Sequence, residues 1–185
     1  MNEDLIIKLF RYFSRFVPVN VLKEFMIQPE RSQLAGYSET KSEILIDTQS
    51  MRIPDIEKFV LSINEKFVSE KIKNSKGFIL FVEYGNISAD FQKAKGVKQS
   101  LAVTVARNFS DTNNDNLNEA LLMNRCLEIL MLIIRQMLSE IGMIEFCPSI
   151  EMITMPVDIQ VVDPVSFYGC GGWCAMFQNS QTILP

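Results

Sequence analysis

The stretch from Leu117 to Ile141 constrains this chain more than any other, because it reads as one long helix that is apolar around most of its circumference. Asn118, Arg125, Glu128, Arg135 and Ser139 fall on one narrow stripe. Leu121, Leu122, Met123, Leu127, Ile129 to Ile134, Met137 and Leu138 cover most of the rest. Asn116 is suited to cap its start, with Glu119 answering three residues later, and Gly142 ends it. A helix laid on one sheet needs an apolar stripe somewhat over 100° wide, and this one offers about twice that. The surplus is covered either by other helices of the chain or by a second copy. Burying three or four extra Leu, Ile or Met side chains contributes on the order of 1.5–3 kcal/mol each. Glu128 and Arg135 interrupt the apolar run at either end, which leaves it far short of the roughly 20 residues that span a bilayer.

Such a helix needs a domain to lie against. The 185 residues, 48% hydrophobic and 22% charged, suit one domain with a real core. The net charge of −4 argues against general affinity for nucleic-acid backbone. Met1-Asn2-Glu3-Asp4 is acidic where a secretory signal would be basic, so synthesis in a cytoplasm is expected.

Upstream, apolar residues at Leu5, Ile6, Leu9, Phe10, Phe13, Phe16 and Val17 have helical spacing, with Lys8, Arg11 and Arg15 on the other side and Pro18 at the end. A helical turn follows over residues 21–26, then a polar loop or arm over residues 28–42 and a short strand over 43–47. Pro54 suits the first turn of a helix reaching about Lys71, with Ile56, Phe59, Val60, Ile63, Phe67 and Val68 as its stripe. From Gly77 the period changes to two. Phe78–Tyr84 is a strand continuing past a bend at Gly85-Asn86, residues 93–98 form a basic hairpin loop, and residues 100–109 form the partner strand. After the long helix come extended segments at 143–146, 150–155 and 157–162. A last strand, 173–178, has Trp173, Ala175 and Phe177 on one face. Gly169, Gly171 and Gly172 ahead of it suit a bend or bulge. The expected fold is α+β: a mostly antiparallel sheet packed by one long helix, with an N-terminal helical extension. Residues 1–76 form that extension and arm and 77–185 the α+β core, together one structural unit.

Catalytic signals are sparse. No histidine occurs, which removes the commonest general base and metal ligand. The carboxylates are dispersed. Asp111, Asn113 and Asp115 share the opening spacing of a calcium loop, but Asn116 and Leu122 stand where Gly and Glu are required, and a helix cap explains them better. Cys126 and Cys147 read as structural thiols. Cys170 and Cys174 enclose Gly171-Gly172-Trp173 in a C-x₃-C spacing, unlike thioredoxin-type or zinc-ribbon pairs. A small cytosolic redox or ligand-binding protein using Cys170 and Cys174 is the alternative reading. No enzyme, metal or cofactor is expected. Lys93, Lys95 and Lys98 are candidates for contact with an acidic partner or passing DNA. Trp173 and Phe177 are candidate interface anchors, with core packing as the competing role.

The order of the strand Phe78–Val82, the strand Leu101–Asn108 ending in Ala-Arg-Asn, the long helix and the closing aromatic strand Gly172–Phe177 resembles the tail-terminator, or tail-completion, proteins of tailed bacteriophages. The resemblance implies a non-enzymatic virion protein forming a homo-oligomeric ring at the head–tail junction or the top of the tail. Its partners would be neighbouring head–tail or tail proteins, with non-specific contact to passing DNA and none with membrane. The N-terminal extension departs from the compact family pattern.

Overall fold

The computed structural model describes residues 5–26, 32, 34–47, 51–62, 72, 75–89, 97–110, 115–140, 157–164 and 167–181. Nine elements follow in chain order: α1 (Leu5–Ser14), α2 (Val19–Phe25), α3 (Tyr37–Ile46), β1 (Ile56–Leu61), β2 (Phe78–Ala89), β3 (Val97–Asn108), α4 (Asn116–Glu140), β4 (Asp158–Val162) and β5 (Cys170–Gln181). The strands form one sheet in the order β1-β2-β3-β5-β4. Among the described strands only the β1–β2 pair is parallel. The expected α+β class is therefore observed: a mostly antiparallel sheet packed by the long helix, with helices preceding it.

Strand alternation sorts the side chains into two layers. On one face Phe59, Leu80, Val82, Leu101, Val103, Val105, Ala175 and Phe177 form a single core. Cys126, Ile129, Leu130, Ile133, Ile134 and Met137 of α4 join them, as do Leu9, Phe13, Phe16, Val21 and Leu22 from the first two helices. The N-terminal helices thus share one core with α4. The opposite face carries a smaller cluster of Val60, Ile72, Ile79, Phe81, Ala106 and Cys170.

Several local expectations are corrected. Residues 56–61 are a strand, because Ile56, Phe59 and Val60 are buried on both sides of a parallel pair and imitate helical spacing. Residues 43–46 belong to α3 instead of a strand, and of their apolar run only Ile44 is buried while Ile46 is 72% exposed. The helix start is capped by Asp115, whose Oδ1 accepts from the Leu117 and Asn118 N–H groups at 2.9 and 3.3 Å, and not by Asn116. The expected bend in β2 is a register shift between Tyr84 and Ile87. Of the bend or bulge expected at Gly169, Gly171 and Gly172, the bend is present at Gly169, with φ 80°, and no bulge occurs at Gly171-Gly172, where β3 and β5 pair continuously from Val97↔Gln181 to Asn108↔Cys170. Strands expected at 143–146 and 150–155 lie outside the described residues.

The α1 end is fastened from two directions. After Ser14 the chain tightens into an i→i−3 turn, with Arg15, Phe16 and Val17 N–H groups donating to Tyr12, Phe13 and Ser14 carbonyls. Arg52 then donates one Nη1 to the Ser14 and Val17 carbonyls at 2.9 and 2.7 Å. A cation at a helix C-terminus also meets the negative end of the dipole. Arg52→Ala is expected to lower stability by about 1–3 kcal/mol, read as a reduced urea midpoint with an unchanged slope.

Candidate assembly surface

The rotation of α4 that buries Cys126, Ile129, Leu130, Ile133, Ile134 and Met137 turns the opposite side outward. At 100° per residue, Leu117, Leu121 and Leu132 fall within one narrow sector of that outer side. They are 68%, 59% and 38% exposed; Glu128, between Leu121 and Leu132, and Arg135, beyond Leu132, share the sector.

Beside the helix, β4 pairs with β5 through Asp158↔Met176, Ile159↔Ala175, Gln160↔Cys174, Val161↔Trp173 and Val162↔Gly172. Ile159 and Val161 therefore share the helix-covered face with Ala175 and Trp173, yet they are exposed, Val161 by 59%. The Trp173 indole N–H donates to the Met123 carbonyl at 3.0 Å. This bond fixes β5 against the first half of α4, so Leu117, Leu121 and Val161 lie towards one end of the domain. A second apolar concavity, of about 300 Å³, lies between α1 and α3 and is lined by Ile7, Phe10, Met26, Leu34 and Ile44, with Lys41 among its polar residues.

The proposed contact residues are distributed unevenly. Phe177 is 5% exposed inside the main core, opposite Leu101. Trp173 is half-buried and its polar edge is bonded within the chain. Lys93 and Lys95 lie outside the described residues, and Lys98 stands in β3 between Ser88 and Ser180 instead of in a loop. The outward leucines and the β4 pair Ile159 and Val161 were not singled out from sequence as contact residues; the surplus apolar arc of α4 was the signal that pointed to the leucines.

Arg125 and Glu128, near this surface, are ion-paired. Arg125 donates Nε and Nη2 to the two Asp55 carboxylate oxygens at 3.3 and 2.8 Å, and Nη1 to Glu128 at 2.8 Å. The hydrogen bond from Arg125 holds the Asp55 carboxyl below its usual pKa. Farther along, Arg15 does not lie on a solvent face as its helical position suggests. It is buried against Glu140, Nη2 to Oε1 3.0 Å, with side chains 10% and 9% exposed.

Cys147 lies outside the described residues, and the three described thiols are chemically quiet. Burial pushes Cys126 up to about 12, Cys170 to about 11, and Cys174 upward against a hydrogen bond with Thr104. All three are protonated at neutral pH and so poor nucleophiles. Cys170 and Cys174 are both on β5, where four residues of strand separate their Cα atoms by about 13 Å, beyond the reach of a disulfide. Among the described residues no group of three or more His, Cys, Asp or Glu could hold a metal ion, and no helix is long and apolar enough to cross a membrane. Compared with protein-family models, curated proteins and solved structures, the chain matches none.

Proposed function

We propose that this chain is a non-enzymatic structural subunit that assembles with copies of itself, as a ring component at the head–tail junction or tail top of a phage particle. The observation that carries this reading is the outward sector of Leu117, Leu121 and Leu132 on a helix whose inner side is already saturated by the core. At their observed exposures, covering the three leucines contributes about 2.5–5 kcal/mol per copy. Association costs an estimated 4–15 kcal/mol, so a single such contact is marginal and the closure of several into a ring is what makes it hold. In this role the partners are further copies and neighbouring head–tail or tail proteins, no cofactor is required, and the virion is the site of action. The segment carrying Lys93, Lys95 and Lys98 is the part suited to meet passing DNA.

Light scattering on a dilution series, with electron microscopy of the same samples, tests the reading. The expected result is a mass that rises with concentration to a defined closed multiple of the monomer. Leu117→Lys with Leu121→Lys, both at exposed positions, is expected to shift the midpoint at least about tenfold towards higher concentration while leaving the fold intact. A monomer at every concentration overturns the proposal.

A further inference from the structure

The two edges of the sheet are built differently. β1 has a register shift between Ile56 and Lys58, carries Glu57 and Lys58, and follows Pro54. Bulges, charges and prolines are the devices by which natural edge strands refuse a further strand. β4 is more lightly guarded: its five pairs with β5 run without a shift, its one charge is Asp158 at the first position, and Pro156 and Pro164 stand two residues outside it as Pro54 does for β1. It presents Ile159 and Val161 to solvent on one face, 36% and 59% exposed. An unshifted edge whose interior is uncharged and exposes β-branched residues is a template for strand addition.

We infer that the outer edge of β4 pairs with β4 of a second copy, antiparallel about a two-fold axis through Gln160. Three features select this occupant and register. Antiparallel pairing centred on Gln160 engages all five residues of both strands, and any slip engages fewer. It places Ile159 opposite Val161 of the partner subunit on one face, whereas a one-residue slip would set Ile159 against Gln160 of the partner subunit. It also sends Asp158 to opposite ends of the pair, about 13 Å apart, beyond the screening length at physiological salt. Parallel pairing would bring the two Asp158 carboxylates side by side, which is unfavourable. The contact is isologous, so it joins two subunits and ends there. Heterologous contacts close rings, and this one doubles them. The inference rests on the self-assembling reading above.

The experiment is oxidative cross-linking of full-length Cys174→Ser protein bearing Gln160→Cys or Asp158→Cys, since Cys174 is the partner of Gln160 within the chain, with Cys174→Ser alone as background. At the two-fold axis the two introduced thiols of Gln160→Cys meet across the strand pair, where Cβ atoms stand about 4.5–5.5 Å apart. Gln160→Cys is therefore expected to give a covalent dimer at least about tenfold faster than Asp158→Cys alone. Asp158→Cys mixed with Val162→Cys is expected to restore the rate. Ile159→Lys with Val161→Lys, both at surface positions, is expected to halve the assembled mass. Faster self-cross-linking of Asp158→Cys shows parallel strands and overturns the inference. Protein that assembles while Gln160→Cys stays uncross-linked overturns it and leaves self-assembly standing, the outcome if a different protein's strand occupies this edge. A monomer throughout overturns both.

Discussion

Gly172→Ala is expected to cost about 3 kcal/mol or more, enough to shift the urea midpoint by a molar unit or to prevent folding. A Cβ at this position would press into the Val105 carbonyl oxygen and stand 2.6 Å from the Ala106 Cα. Both are backbone atoms of β3, the central strand, held on both flanks by ladders to β2 and β5. Neither can withdraw without breaking pairs on one side. Gly171→Ala is the informative comparison, because its Cβ meets the ring of Phe109, a side chain at the end of β3. That variant is expected to lose clearly less. Equal losses at the two positions would mean that close approach of β5 to β3 is not what requires glycine here.

Glu140→Ala is expected to cost about 3 kcal/mol, because it takes from the buried Arg15 guanidinium its close carboxylate and leaves Asp47 at 3.9 Å as a weaker counter-charge. The pair is nine-tenths buried on each side, and Gln136 also donates to the carboxylate. Removing both charges with Arg15→Met and Glu140→Leu is expected to recover most of the loss. The pair also sets an acid limit. Burial works to raise the Glu140 pKa, but hydrogen bonds from Gln136, Tyr12 and Arg15, together with the Arg15 charge, outweigh it and leave the carboxyl below its ordinary value. The folded state therefore binds this proton less readily than the unfolded chain. The contribution is fully present above the unfolded pKa, about 4.3 for Glu, and is lost as pH falls through the lower folded value. Denaturation of Glu140→Gln as a function of pH is expected to show a shallower acid slope than the parent protein, and parallel slopes would remove Glu140 from this role.

β3 and the long helix were legible in the sequence because each has a clean period, two in Leu101, Val103 and Val105 and about 3.6 in Cys126, Ile129, Ile133 and Met137, and β2 was legible as a continuous apolar run bounded by Gly77 and Gly85. β1 was not legible. A parallel strand buried on both faces has no period of two, and Pro54 ahead of it fits a helix start equally well. The run Ile44-Leu45-Ile46 failed for the converse reason, since three apolar residues say nothing about which of them faces inward. The candidate surface was half legible. The breadth of the apolar arc on α4 announced surplus, but only the packing shows that the N-terminal helices share its core while Leu117, Leu121 and Leu132 are left outside. Arg15 could not have been paired with Glu140 from sequence, because 125 positions separate them and each sits within an ordinary helical pattern.

The strand order has a bearing on how the chain is completed during synthesis. β4 pairs only with β5 among the described strands, and β5 follows it in the chain while lying between it and β3. Until Cys170–Gln181 has left the ribosome, β4 has nowhere to dock, one flank of β3 stays open, and the inner side of α4 lacks Trp173, Ala175 and Phe177. The twelve residues of β5 act as a keystone, and a nascent chain halted just before them presents its greasiest surfaces to chaperones.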